Sequence, residues 1–268
     1  MRSILLYANE DAWTLQRLEA ALRIATTCDS HVHCLQLTSA DEYVFADSFG
    51  GVYPMLDLLR DVRAQEEAFQ QQIEARLSRE GARWTWINEA RVPSGAPLKR
   101  LNLIDLSIVS LVNEPETSGS TPAPARLAMQ SDTPILAILP HGRPFDTRGD
   151  VMVAWNGSPE AARALRAAVP LIRFASSVTI VEVIEHRGQR SAIDAAEYLG
   201  YHDIKAEVRE HLIDQEAVAD ALRRAAIETA ASYIVMGAYG KSRLRERVLG
   251  GVTASLTKDS PCSLLMSH

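Results

Sequence analysis

The sequence predicts an α/β protein made of two tandem open-sheet units, and three observations carry that prediction. The chain repeats itself: "ILLYANEDAWTLQRLEAALRIATTCDSHVHCLQL" (4–37) and "VMVAWNGSPEAARALRAAVPLIRFASSVTIVEV" (151–183) share one layout. Each runs apolar strand, small polar turn, helix rich in Ala and Leu, then a second apolar strand. Later pieces match in the same order, "DLSIVSL" (105–111) with "ASYIVMG" (231–237) and "SDTPILAIL" (131–139) with "KDSPCSLLM" (258–266). Strands that alternate with helices imply right-handed crossovers and a mainly parallel sheet with helices on both faces.

The second copy is the clearer one. "VMVAW" is a short buried strand, and Ser158-Pro159-Glu160 supplies an N-cap followed by proline at the first helical position. Leu165, Val169 and Ile172 recur at helical spacing and give that helix a core-facing stripe. "SVTIVEVI" is a second strand, "AEVREHLI" a third with period-two alternation, and "EAVADALRRAAIETAA" an amphipathic helix. "YIVM" and, after another helix, "CSLLM" complete five strands. The first copy carries a longer middle, "DEYVFADSFGGVYPMLDLLRDVRAQEEAFQQQIEARLSREG", read as an aromatic surface loop leading into a long helix. "PHGRPFDTRGD" (140–150), with Pro, Gly and charge but little apolar content, reads as a linker, so the units are 1–140 and 151–268.

The bulk composition narrows the function classes. The chain has 268 residues, is 47% hydrophobic and carries a net charge of -6, so nothing draws it globally to nucleic acid or an anionic membrane. No apolar run approaches the ~20 residues needed to span a bilayer. Cys28, Cys34 and Cys262 cannot all pair with one another, and "MRSILLYANEDAW" lacks a signal-peptide pattern, so a reduced, cytoplasmic chain is expected.

In an open parallel sheet, ligands sit beyond the carboxyl ends of the strands, where the strand order reverses. The loop after the second copy's fourth strand, "GAYGKSRLRERVLGGVT" (237–253), holds Gly240-Lys241-Ser242 and three further glycines. A Walker loop needs a glycine separated by four residues from its Gly-Lys-Ser, and that position is Val235, inside the strand. What remains is Gly237, two residues, Gly240, nine residues, then Gly250-Gly251-Val252-Thr253. Glycines after a strand let backbone N–H groups approach an anion, and Gly250-Gly251 opens a helix whose free amides and dipole attract phosphate.

This run resembles the G-x2-G-x9-G-(S/T) signature of the universal stress protein family, in its ATP-binding branch, and "VAWNGS" resembles that family's first-strand segment. The resemblance is strong in the second copy and faint in the first. It implies five parallel strands per unit in the order 3-2-1-4-5, with a nucleotide between the loops after strands one, two and four. Carried over by position, it implies Ala154, Trp155, Asn156 and Val183 on the adenine and ribose side. Met236, Gly237, Gly240, Gly250, Gly251, Val252 and Thr253 would frame ribose and phosphates, with Lys241 as a point charge nearby. The implied ligand is ATP, with Mg2+ as an optional companion. Two residues depart from the pattern: the family's Asp is Asn156 here, and the Ser/Thr after the third glycine is Gly251.

The first copy has "VNEPETSGSTPAPARLAMQ" (112–130) where the glycine motif would stand, and Glu114 and Glu116 would repel phosphate, so binding there in the family mode is not expected. "HVHC" (31–34) puts His31 and His33 on one strand face and Cys34 on the other, so it offers no convergent metal set. No nucleophile, base and orienting group surround the glycine motif, so slow ATP hydrolysis is the most that is expected. The resulting expectation is a stress-response protein whose second unit binds an adenine nucleotide, with the first as a surface for an unidentified protein partner. "ILAIL" and "CSLLM" would pair within the chain as a pseudo-dimer, and a homodimer is a further option. The alternatives are an interaction protein that binds no nucleotide and an adenylating enzyme of the wider α-hydrolase group. Gly237→Asp is expected to remove nucleotide binding while the fold persists.

Overall fold

The computed structural model describes residues 1–38, 52–90, 103–112, 123–184, 192–213, 215–238, 240 and 251–268. The first half runs β1 (Ser3–Tyr7), α1 (Thr14–Cys28), β2 (His31–Thr38), α2 (Val52–Arg79), β3 (Arg83–Ala90), β4 (Leu106–Ser110), α3 (Pro124–Gln130) and β5 (Ile135–Ile138). The second half repeats the plan with β6 (Val151–Trp155), α4 (Pro159–Ile172), β7 (Val178–Ile184), α5 (Ala192–Gly200), β8 (Glu207–Leu212), α6 (Val218–Glu228), β9 (Tyr233–Gly237), α7 (Gly251–Lys258) and β10 (Ser263–Ser267).

Among the described residues all ten strands lie in one sheet, ordered β3-β2-β1-β4-β5-β10-β9-β6-β7-β8. Outward from its middle, each half runs fifth, fourth, first, second, third. Pairing within each half is parallel, and β5 meets β10 in antiparallel register, with Ala137 opposite Leu264. The strands "ILAIL" and "CSLLM" therefore do pair within the chain.

Alternation along the strands feeds two cores, one on each face. Ile4, Leu6, Val151 and Val153 pack with residues of α1, α2, α4 and α5 on one side. Leu5, Tyr7, Met152 and Ile234 pack with residues of α3, α6 and α7 on the other. Both cores draw on both halves. Direct contacts reinforce the join: Thr27 and Thr147 hydroxyls lie 2.8 Å apart, and Cys28 Sγ donates to the Pro170 carbonyl at 3.7 Å. The 140–150 segment, expected as a linker, is docked on the second half. Phe145 and Thr147 are buried, the Asp146 N–H donates to Ser232 Oγ at 2.8 Å, and Arg143 donates to the Ala230 carbonyl.

Local signals place the crevice. Ser158 Oγ accepts the Ala161 N–H at 3.1 Å and Pro159 stands at the first helical position, so α4 starts immediately beyond β6. The helix α7 starts at Gly251, as the glycine pair suggested. The expected loop at 39–51 and most of 112–130 lie outside the described residues.

Candidate functional site

The carboxyl ends of β6, β7 and β9 form the crevice where the second half's strand order reverses, because β6 lies between β7 and β9. Ala154 and Met236 are buried in the core beneath it, Trp155 is half-buried, and Asn156 is exposed just past β6. Val183, half-buried, stands one residue past Glu182, which is opposite the last residue of β6. Gly251 is exposed at the start of α7, Val252 packs partly against the core, and Thr253 is buried. The structure thus brings Ala154, Trp155, Asn156, Val183, Met236, Gly237 and Gly240 to one end of the sheet. Lys241 and Gly250 lie outside the described residues.

The glycines do not share one role. A Cβ on Gly237 would lie 2.6 Å from the Ala161 nitrogen and 2.7 Å from the Glu160 carbonyl carbon. No real side chain approaches backbone so closely, so Gly237 is glycine because the first turn of α4 rests on it. This corrects the expectation that Gly237→Asp would spare the fold: the side chain would drive into the α4 backbone. At Gly251 a Cβ meets nothing within 4 Å among the described residues. Of these two positions, Gly251 is the one where a side chain can be added without disturbing packing.

Glu160, named from the sequence only as part of the helix start, sets a charge beside Gly240. Its carboxylate is buried, and Oε2 lies 3.3 Å from where a Gly240 Cβ would stand. Oε1 accepts from Arg163 Nη2 at 3.1 Å, Arg163 Nε donates to the His268 carbonyl at 2.9 Å, and His268 Nδ1 donates to the Ala238 carbonyl at 2.9 Å. The signal was available, since Glu160 lies one turn before the buried pair Ala164 and Leu165 on the same helix face.

The first half can be compared residue by residue. Ile4 pairs with Leu106 and Val151 with Tyr233, each pair starting its own strand β4 or β9. In that register Tyr7 corresponds to Ala154, Asn9 to Asn156 and Ser110 to Gly237. Leu35 opposite Tyr7 and Val181 opposite Ala154 make Leu37 the counterpart of Val183. Asn9 is buried: its Nδ2 donates to the Leu37 carbonyl at 2.9 Å, and its Oδ1 accepts the Leu37 N–H at 3.4 Å. Asn156 does something else, its Oδ1 accepting the Ser158 N–H at 3.1 Å.

Above the first half's crevice lies Arg17, fully buried. It donates to the Tyr7 carbonyl at 2.9 Å and to Ser110 Oγ at 2.6 Å, so it bridges the ends of β1 and β4. Both carboxylate oxygens of Asp11 accept from it, at 3.0 and 2.8 Å. Burial pushes the guanidinium down from its ordinary range, opposed by the hydrogen bonds and charge of Asp11. A buried charge of this kind is tolerated only with such partners.

Among the described residues no group of His, Cys, Asp and Glu could hold a metal ion, and no helix is long and apolar enough to cross a membrane. His31 pairs with Thr85 Oγ1 at 2.8 Å and stacks beside His33, while Cys34 is buried on the opposite face. Burial pushes the Cys34 and Cys262 thiols up to about 12, so neither supplies a thiolate at neutral pH.

The fold and crevice define a duplicated open α/β protein with its ligand-type edge at the reversal of strand order. Residues 147–268 match the universal stress protein family, so the second half of the chain is a domain of that family. Along its whole length the chain shares its fold with a universal stress protein from Archaeoglobus fulgidus DSM 4304. The TM-score is 0.72 at 15% identity, covering 98% of this chain and 95% of the other. A functionally unknown protein from Pseudomonas aeruginosa PAO1 superposes with a TM-score of 0.59 at 17% identity, covering 100% and 92%. A putative universal stress protein from Pseudomonas aeruginosa UCBPP-PA14 gives 0.57 at 17% identity, covering 100% and 93%. No curated protein matches the sequence.

Proposed function

We propose that the second half binds an adenine nucleotide, ATP in the first instance, and that the bound state alters how the chain meets a protein partner. The observation that carries this reading is the contrast at the ends of β2 and β7. Peptide groups alternate sides along a strand, and the Ile184 carbonyl, which accepts from Ile213, faces β8. The N–H and carbonyl of Val183 therefore face the β6 side, past the last residue of β6. Its counterpart Leu37 is capped by Asn9, whereas Asn156 turns away to Ser158. A donor and an acceptor on one peptide, both turned toward the crevice, suit the edge of a purine base. Ribose and phosphates would then run toward Gly240 and the open start of α7 at Gly251, where helix amides favour an anion.

Glu160 works against a bare polyphosphate. Unit charges about 7 Å apart at an effective dielectric of ~20 repel by about 2.4 kcal/mol, and Arg163 offsets part of that. Phosphates that arrive with Mg2+ would meet the carboxylate with less repulsion. That same repulsion is what favours the second reading, an interaction protein without nucleotide. Thermal unfolding with millimolar MgATP separates the two, since ligand at a hundred times Kd stabilises by about 2.7 kcal/mol. An unmoved melting curve supports the interaction reading. Gly251→Asp, which adds a carboxylate at the start of α7, is expected to weaken MgATP binding about tenfold by calorimetry without lowering the melting temperature of the free chain.

A further inference from the structure

We propose that the crevice of the first half is a purine-type site closed from within, in which Asn9 and Arg17 stand where a ligand would. The idea rests on the nucleotide reading of the second half for its choice of ligand, and on the first half's own hydrogen bonds for its geometry. Nδ2 of Asn9 donates to the Leu37 carbonyl and Oδ1 accepts the Leu37 N–H. A carboxamide presents a donor beside an acceptor, and adenine presents the same pair, its exocyclic amine beside a ring nitrogen. The side chain thus takes both hydrogen bonds that a base would make at that peptide.

Arg17 fills the neighbouring volume. Its guanidinium spans from the Tyr7 carbonyl to Ser110 Oγ, across the reversal of strand order, and is neutralised by Asp11. In the second half the position of Ser110 is Gly237, covered by helix backbone, so no long side chain is needed there. Burial agrees with the chemistry: Asn9 is 3% exposed and Arg17 0%, while Asn156 is exposed. The chain would then take one nucleotide and not two, with the first half held in a permanently occupied form.

The test uses the full chain with Asn9→Ala, whose missing carboxamide frees the Leu37 peptide while Arg17 and Asp11 stay in place. The probe is adenine at millimolar concentration, followed through the Leu37 amide in 1H–15N spectra. In the parent chain adenine leaves that amide unmoved. In Asn9→Ala it produces a saturable shift, and hypoxanthine, whose edge reverses donor and acceptor, does not. No shift with adenine in the variant, an equal shift in the parent, or an equal response to hypoxanthine would overturn the proposal. Should Asn9→Ala fail to fold, Asn9→Ser gives the same readout with a polar side chain too short to span to Leu37. Failure of the second-half reading shows separately, as an unmoved MgATP melting curve with the Leu37 result intact.

Discussion

Gly237 sits where β9 meets the first turn of α4, and only a hydrogen atom fits between them. A methyl group placed there would stand 2.6 Å from the Ala161 nitrogen, and neither backbone segment can shift without breaking its own ladder or helix bonds. Overpacking of this type costs about 1–3 kcal/mol, with backbone clashes at the upper end. Gly237→Ala should therefore lower the melting temperature by roughly 6–12 °C for about 3 kcal/mol in a chain of this size. A change within 2 °C, roughly the shift that ~0.5–1 kcal/mol produces, would mean the contact is looser than it looks. Glu160 makes the opposite kind of test, since its charge and not its bulk is at issue. Glu160→Gln keeps an acceptor for Arg163 and removes the charge beside Gly240. MgATP should bind about fivefold tighter, for about 1 kcal/mol of relieved repulsion, with adenosine unchanged. Equal gains for both ligands in calorimetry would show that Glu160 does not face the phosphates. The glycine spacing was legible in the sequence, but its division into a packing glycine and an open one was not. That division depends on how closely α4 approaches β9, a distance that no local pattern encodes.

Elements were easier to read than contacts. Every strand of the second half, the Ser158 cap and the start of α7 follow from periodicity, capping and glycine placement. The β5–β10 pairing was legible too, because two short apolar strands each end a repeat and each would otherwise be a bare edge. Arg17 was not, since it lies in the apolar stripe of α1 between buried Thr14 and Leu18, where a charge is justified by partners from other segments, Tyr7, Asp11 and Ser110. The seam itself can be tested. The Leu139 N–H donates to Ser263 Oγ in β10 at 3.1 Å, so by alternation the Ala137 N–H also faces β10. Ala137→Pro removes that donor and leaves a buried acceptor unpaired, for about 1–3 kcal/mol. The expected result is a lower denaturant midpoint that affects both halves alike. A variant whose second half keeps its stability, read by Trp155 fluorescence in a chain lacking the other tryptophans, would show the seam to be dispensable.

The whole molecule ties these scales together, because neither half owns a complete core. One face's cluster runs from Ile4 and Ile73 through Leu165 to Leu199, and the other's runs from Leu35 through Leu264 to Leu256. The sheet is continuous across β5 and β10, and Phe145 of the connecting segment packs on Tyr233 with ring centroids 5.3 Å apart. Unfolding one half alone would expose apolar surface of the other along the seam, at about 25 cal/mol for each Å2 uncovered. Two independent domains would lose nothing of this kind. The chain should accordingly unfold in one cooperative step. Trp84 and Trp86 report on β3 at one end of the sheet and Trp155 on β6 near the other, so chains keeping only one set give separate views. Coincident midpoints, equal to the far-ultraviolet circular dichroism midpoint, are expected in urea. MgATP, taken up at the proposed second-half site, should then raise the midpoint of the first-half probe by the same amount as that of the second. Separated midpoints, or a nucleotide shift confined to Trp155, would mean that the halves fold as independent units despite the shared sheet.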